Sequence, residues 1–366
     1  MRVLFDIVHP AHVHFYRHLH DSLRAEGHDV HVVARDKEVT LPLLDAFGMP
    51  HAWTGHAGTK TTAARAAELV TRDVALTRAA RRFRPDVVLT RNPAGVHAGR
   101  LVGAWTVYDS VDGRAAGVHF RLGAPLAHVI TSPTWLDEDY GPRHRRYRGP
   151  KELAYLHPSR FRPDPGIRDE LGVAADRPLF VLRFVANDAV HDAHTVGLDA
   201  GQRAGLVGRL QALGHVVISS EEPLPADLEP LRFRLGPERI HHVLAAADLF
   251  VGDSGSMAAE AGVVGTPALR LSSWVGPVRG YLGRMERDYG LVRCFTPEAR
   301  AGFDAAVDAV LADLPAAKAA AGEAAARLVA DCDDVTAWYR GLVGELAARP
   351  ESPSRRRWLR GTPPRI

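Results

Sequence analysis

Cysteine is scarce: Cys294 and Cys332 are the only two in 366 residues. That excludes a disulfide framework and any cysteine-based metal motif, and it fits a reduced, cytoplasmic setting. Long apolar runs are missing too. A membrane span needs roughly 18 such residues in a row, so none is expected. The first residues, MRVLFDIVHPAHVHF, are apolar only briefly and then turn histidine-rich. They lack the apolar core and small-residue cleavage site of a signal peptide and read as a first buried strand. An excess of one charge is also lacking, since 46 Lys and Arg stand against 43 Asp and Glu for a net +3. That balance is too mild to indicate nucleic acid, and no such partner is expected.

What is present is the composition of a soluble globular protein, 46% apolar and 24% charged over 366 residues. At this length two domains are the default. Two stretches repeat one pattern. Strand Arg2–Val8, a helix from about Val13 to Ala25 and strand Val30–Ala34 are matched by strand Leu179–Val185, a helix from about Gly201 to Ala212 and strand Val216–Ser219. Short apolar runs alternating with helix-length segments indicate parallel sheets buried on both faces. Further strands are expected at Pro85–Thr90, Trp105–Tyr108, His128–Thr131, Leu249–Gly252 and Ala268–Leu271, with helices at Thr61–Phe83 and Pro237–Ala247. The stretch Tyr140–Pro165, rich in Arg, Pro, Gly and His, reads as a linker. Asp304–Ala348 reads as almost wholly helical, with a break near Pro315.

The pattern therefore predicts two doubly wound α/β domains with a cleft between them. One is N-terminal, at 1–160, and one C-terminal, at 161–330; a helix at 331–348 packs back on the first, and 349–366 forms a basic flexible tail. Within that tail, Ser354-Arg355-Arg356-Arg357-Trp358-Leu359-Arg360 is either a solvated segment or a peripheral contact with anionic lipid headgroups or phosphates at the inner membrane face.

In doubly wound sheets, ligands sit beyond the carboxyl ends of the strands. Five histidines fall between His9 and His20, including His9, His12 and His14 beside Pro10. A histidine at a sheet's carboxyl edge tends to be neutral at pH 7, so His12 is a candidate general base. Metal binding by His12 and His14 is the weaker reading, because no nearby Cys, Asp or Glu completes a set. His18 and His20 are expected on the helix surface. Asp109 and Asp112 follow a strand, either as a base and its orienter, as binders of sugar hydroxyls, or as turn and cap residues. Arg183 interrupts an apolar strand and needs a partner there, a carboxylate or a ligand phosphate. His191 and Asp192 lie close behind it. Ser219-Ser220-Glu221-Glu222 ends the next strand, in contact with a nucleoside or as a solvated turn. The turn Gly252-Asp253-Ser254-Gly255-Ser256 opens a helix through Met257 and Glu260. It is either an anion site at a helix N-terminus or an ordinary turn capped by Ser254 or Ser256.

Taken in order, His9–Phe15, Ala34–Glu38, Lys151–Leu156 ahead of Phe161–Asp164, and Gly252–Glu260 resemble an uncharacterised bacterial and archaeal family of glycosyltransferase-like proteins with the GT-B fold. The resemblance runs over about residues 1–345. That family is similar to the peptidoglycan N-acetylglucosaminyltransferase and to the UDP-N-acetylglucosamine 2-epimerases. The sequence departs from it at Asp112-Gly113, where family members carry an acidic-histidine pair, and at Asn187, where they carry an aromatic residue. The resemblance implies a nucleotide-sugar held by the C-terminal domain, with pyrophosphate at Gly252–Met257 and ribose on Glu260. It also implies an acceptor-side loop at His9–His14 and no bound metal or other cofactor. The expected activity is metal-independent transfer of a sugar from a nucleotide diphosphate, UDP-linked, to a sugar, lipid-linked or small-molecule acceptor. Two alternatives stay open: a nucleotide-sugar epimerase or hydrolase, and a non-catalytic nucleotide-sugar-binding protein.

Overall fold

The protein is described by a computed structural model at residues 1–56, 62–184, 198–220, 223–273 and 280–349. Asn187, His191, Glu221 and the basic tail from residue 350 lie outside the described residues. The chain divides into two units, Met1–Tyr155 with the chain from Asp333 onward, and Leu156–Cys332.

The first unit carries β1 (Arg2–Ile7), β2 (Asp29–Asp36), β3 (His51–His56), β4 (Val87–Thr90), β5 (Trp105–Asp109), β6 (Val129–Pro133) and β7 (His144–Tyr147). Their order is β3-β2-β1-β4-β5-β6-β7, and neighbouring strands run parallel throughout. The central strands are continuous apolar runs because helices cover both of their faces. Leu4, Val33, Leu76, Val88 and Ala98 fill the core on one side. The chain builds outward from β1 to β3 and then returns to place β4 on the other side of β1. The sheet's topological switch therefore lies between β1 and β4.

Surface helices of this unit are joined by a titratable contact. In the helix Pro93–Val102, His97 lies with Nδ1 3.1 Å from Asp73 Oδ2 and donates from Nε2 to the Leu122 carbonyl at 3.2 Å. Asp73, as a hydrogen-bond partner, raises the His97 pKa against the opposing effect of burial. A raised folded-state pKa stabilises fully below the unfolded value of about 6.5 and is lost as pH rises through the folded value. The urea midpoint of His97→Gln should thus fall below that of the parent in acid and converge with it as pH rises. A gap independent of pH would show that the imidazolium contributes nothing.

The C-terminal helix Val335–Ala347 returns to the first unit, as expected. Thr336 donates to the Ala154 carbonyl at 2.7 Å, and the Tyr339 ring meets Phe15 edge-on at 5.3 Å.

The second unit carries β8 (Leu179–Phe184), β9 (His215–Ser220), β10 (Leu249–Gly252), β11 (Ala268–Leu271) and β12 (Val292–Phe295) in the order β12-β11-β10-β8-β9, again parallel. Phe180, Leu182, Leu210, Val251 and Phe303 form part of its core. From β8 the chain goes to β9 on one side and returns to β10 on the other, so the switch lies between β8 and β10.

Several expectations need correction. The stretch Tyr140–Pro165 contains the boundary between the two units, at Tyr155/Leu156, but it is not irregular, for it holds β7 and the helix Leu153–Leu156. His20 is not on the helix surface. It shares the buried stripe of Val13, Tyr16 and Leu23, packs against Phe5, and has Nδ1 2.8 Å from Asp21 Oδ1. The region from Asp304 to Ala348 is almost wholly helical with a break beside Pro315, in line with the sequence reading, and a second break at 332–334 divides it into the helices Arg300–Ala312, Leu314–Asp331 and Val335–Ala347. Asp313 caps the second, with Pro315 in its first turn, and Asp334 caps the third.

Candidate functional site

In the second unit the switch point gathers the residues expected to hold a diphosphate. Gly252, the last residue of β10, pairs in register with Arg183 on β8. A Cβ on Gly252 would stand 2.7 Å from the Arg183 carbonyl oxygen, so only glycine fits this approach. Arg183 donates from Nη1 to Ser219 Oγ at 2.9 Å, and Ser219 sits at the end of β9. Ser220 beside it accepts on its carbonyl from Arg232 at 3.2 Å. Ser254 then caps the helix Gly255–Val263, its Oγ accepting from the Met257 amide at 3.3 Å. Gly255 and Ser256 form the first turn, and the early amides of such a helix have no intrahelical partner. The carboxyl edges of β8, β9 and β10 thus bring an arginine, serine hydroxyls and a helix N-terminus together.

Two arginines at this edge were not singled out from the sequence. Arg270 is buried in β11 and donates from Nε to the Asp253 carbonyl at 3.1 Å, which fixes the turn. Arg203, on the helix Ala200–Leu213, lies over the Phe184 ring at 4.8 Å, with Nη2 3.8 Å from Asp253 Oδ2. Arg270 carries the same signal as Arg183, a cation inside the apolar strand ALRL. Glu260 is buried, and its Oε1 lies 3.2 Å from Nε2 of buried His241. One carboxylate oxygen expected to meet ribose is therefore already engaged inside the unit.

In the first unit the switch point is a paired, buried polar layer. Asp6 on β1 stands in register with Thr90 on β4, accepts from its hydroxyl at 2.7 Å, and forms a buried ion pair with Arg72. Directly above, each strand ends in a capped helix that begins with proline. His9 Nδ1 accepts from the Ala11 amide at 3.2 Å ahead of Pro10. Asn92 Oδ1 accepts from the Ala94 amide at 3.0 Å ahead of Pro93. The helix thus starts at Pro10, so His12 and His14 belong to its first turns rather than to a loop. The Arg91-Asn92-Pro93 connection was missed, although it follows a strand and meets the same carboxyl-edge criterion.

His12 is half-buried, and burial, followed by the charge of Arg91, holds its pKa well below the ordinary histidine value. Burial and Lys37 likewise lower His9, against the opposing charge of Glu38. Both rings are neutral at pH 7. His12 Nδ1 accepts a long hydrogen bond from the Val8 amide, 3.4 Å, and His9 Nδ1 is the helix cap. By that pattern the proton of each ring sits on Nε2. His14 packs in the core, stacked on Tyr155 at 5.5 Å and edge-on to Phe47 at 5.6 Å.

Asp109 is not placed on His12. It is buried, with Oδ2 2.8 Å from Arg91 Nε, and its Oδ1 accepts from Tyr339 at 2.7 Å and from Thr131 at 3.2 Å. Asp109 holds Arg91 in its charged form against the effect of burial. Asp112 is exposed, ahead of a short turn in which the Arg114 amide donates to Glu138. Neither carboxylate orients His12 in this arrangement. Among the described residues, no three His, Cys, Asp or Glu side chains cluster as a metal site, and no helix is long and apolar enough to cross a membrane.

The sequence pattern of a family described as "Protein of unknown function (DUF354)" matches residues 1–198. No curated protein matches the chain. Solved structures of similar fold include UDP-GlcNAc 2-epimerase from Neisseria meningitidis bound to UDP-GlcNAc, with TM-score 0.63, 13% identity, and coverage of 90% of this chain and 98% of that one. The spinosyn forosaminyltransferase SpnP has TM-score 0.63 at 18% identity, over 95% and 99% of the two chains. The spinosyn rhamnosyltransferase SpnG complexed with thymidine diphosphate has TM-score 0.56 at 19% identity, over 93% and 100%. At these identities the likeness is one of fold, and that fold is GT-B, shared by glycosyltransferases and UDP-GlcNAc 2-epimerases.

Proposed function

The chain belongs to the DUF354 family, and from its fold and edge chemistry we propose that it is a GT-B-type enzyme transferring a sugar from a nucleotide diphosphate, UDP-linked, to an acceptor hydroxyl. The observation that carries this reading is the register pairing of Gly252 with Arg183 at the switch of the second unit, beside the Ser254-capped helix. A diphosphate leaving group gains negative charge in the transition state, and a fixed guanidinium with oriented amides stabilises that charge. Arg183, Ser220 and the Gly252–Met257 turn form the donor site in this reading, with Glu260 nearer the nucleoside; His191 and Glu221, also assigned to the donor site from the sequence, lie outside the described residues. No metal is called for, because Arg183 and the helix N-terminus supply the positive charge.

The first unit supplies the acceptor side, His9, Pro10 and His12 at its own switch. The Nε2–H groups of His9 and His12 bind an acceptor oxygen as they stand. His12 becomes the general base when its proton moves to Nδ1 and the long Val8 contact is given up. Asp109 acts through Arg91 in this scheme, and Asp112 remains free to meet acceptor hydroxyls.

A second reading, epimerisation or hydrolysis of the nucleotide-sugar itself, is favoured by the UDP-GlcNAc 2-epimerase fold neighbours. A thermal-shift screen tests the common premise. UDP or thymidine diphosphate at roughly 100 times its Kd should stabilise the protein by about 2.7 kcal/mol, with uridine doing far less. No response to any nucleoside diphosphate would remove the donor site. Incubation with UDP-GlcNAc and EDTA, without acceptor, then separates the readings: a transferase leaves the compound intact, whereas prompt UDP release or a new epimer establishes the second.

A further inference from the structure

Four large aliphatic side chains stand in solvent on one side of the first unit: Leu101 at 51% exposure, Val118 at 63%, Leu122 at 39% and Leu126 at 43%. Val118 and Leu122 are one turn apart on the helix Val118–Gly123, and Leu126 closes the turn Ala124–Leu126 that continues it. The three form a single stripe. The inner side of the same segment is already packed, with Ala124 and Ala127 buried beside Tyr108 and Ile130. Leu101 adjoins the stripe. It lies one turn beyond His97, whose Nε2 donates to the Leu122 carbonyl at 3.2 Å.

Arginines frame this surface. Arg143 donates from Nη1 to the carbonyls of Pro125 at 3.0 Å and Ala127 at 2.7 Å, across the end of the stripe. Arg121 is exposed within it, and Arg100 donates to His128 Nε2 at 2.7 Å. Acids stand nearby as well: Glu138 accepts from the Tyr140 hydroxyl at 2.6 Å, Asp139 accepts from the Gly141 amide at 2.9 Å, and Asp137 is exposed, so the arginines exceed these carboxylates only together with the basic sequence beyond Arg349.

The C-terminal chain leaves from the same place. The Arg349 guanidinium lies over the Trp105 ring at 5.5 Å, and Trp105 packs edge-on against His128 at 5.3 Å, beside Arg100. The sequence beyond includes Arg355-Arg356-Arg357-Trp358-Leu359-Arg360. Laying that segment on the stripe would set its arginines against Arg100, Arg121 and Arg143. Stripe and tail have instead one complementary partner in common, an anionic surface with an apolar interior.

We propose that this face of the first unit docks on an anionic lipid surface, with Leu101, Val118, Leu122 and Leu126 at the boundary of headgroups and acyl chains. The framing arginines meet lipid phosphates, and the basic sequence beyond Arg349 adds charge of the same sign. Shallow insertion of a few aliphatic residues beside clustered cations is the physical basis of interfacial binding, and a single such element holds a protein only reversibly.

The test is sedimentation of the full-length protein with vesicles of phosphatidylcholine alone and of phosphatidylcholine mixed with phosphatidylglycerol. Binding is expected to the mixed vesicles only and should weaken as salt is raised. The double variant Leu122→Glu/Leu126→Glu should keep its melting temperature, since both positions are exposed, and bind at least about tenfold more weakly. Truncation after Arg349 should reduce binding without abolishing it. The proposal is overturned if the parent ignores phosphatidylglycerol, if the double variant binds as the parent does, or if truncation alone removes all binding. A parent that is dimeric in lipid-free sedimentation velocity, with a monomeric double variant, would assign the stripe to self-association and overturn it equally.

Discussion

Replacing Asp6 with alanine is expected to destabilise the first unit by about 3–5 kcal/mol, the usual cost of removing one member of a buried ion pair. Asp6 is fully buried on β1, pairs with buried Arg72, and accepts from the Thr90 hydroxyl at 2.7 Å. Truncation leaves a guanidinium without its counter-charge where water does not reach, and it strands a hydroxyl as well. Backbone cannot move in to compensate. The helix from Pro93 packs so closely that a Cβ on Gly95 would stand 2.4 Å from Thr90 Oγ1 and 2.7 Å from Asp6 Oδ2. Urea denaturation followed by circular dichroism reads the loss, and Asp6→Leu with Arg72→Met should recover most of it by removing both charges. A cost below about 1 kcal/mol for Asp6→Ala, the level of an exposed pair, would mean that Arg72 remains hydrated and the layer is not dry. The consequence for function is positional. Asp6 and Thr90 tie β1 to β4 three residues before His9 and one before Arg91, so the layer sets where both edge connections emerge.

The central strands of both units were legible because a strand covered on two faces must be apolar along its length. Arg2–Val8 and Leu249–Gly252 were placed in this way, and from them the doubly wound pattern followed. Edge strands escape that rule. β3, HAWTGH, and β7, HRRY, lie at the two edges of the sheet, and in β7 the arginines supply the charge that discourages further strand pairing. β7 therefore read as part of a linker. Parts of the candidate site were legible where a residue broke its local pattern. Arg183 in an apolar strand and the Gly252–Ser256 turn announced themselves, and they proved to be register partners. Arg270 broke pattern in the same way and was passed over. Pairing partners were not legible. The 230 residues that separate Asp109 from Tyr339 span most of the chain, so nothing local could show that Asp109 serves Arg91 and Tyr339 and not His12. His9 illustrates the opposite case: a histidine ahead of proline is also a helix cap, and local geometry decided its tautomer.

Arg183→Ala is expected to weaken binding of UDP or thymidine diphosphate by about 10- to 100-fold, the equivalent of one charge-assisted hydrogen bond of roughly 1.5–3 kcal/mol. Arg183 stands on β8 with its guanidinium held on Ser219 Oγ and its carbonyl against Gly252. It is pre-positioned, so little side-chain ordering is left to oppose ligand capture. Alanine loses the positive charge but leaves the strand's backbone pairing with β10 unchanged, and the unliganded melting temperature should move far less than the affinity. Lysine should restore part of the binding, because it returns the charge without the planar fork that meets a diphosphate at two oxygens. Gly252→Val probes the other half of the pair. Its Cβ would press on the Arg183 carbonyl at 2.7 Å, so the strands must separate at a cost of about 1–3 kcal/mol and the turn leading to Ser254 must shift with them. Both stability and nucleotide response should fall in that variant. Isothermal titration with UDP and with uridine gives the decisive comparison. If Arg183→Ala loses affinity for both ligands alike, the arginine organises the nucleoside end. If it loses affinity for neither, the diphosphate lies elsewhere and the switch of the second unit is not its site. Loss confined to UDP puts the leaving group on Arg183.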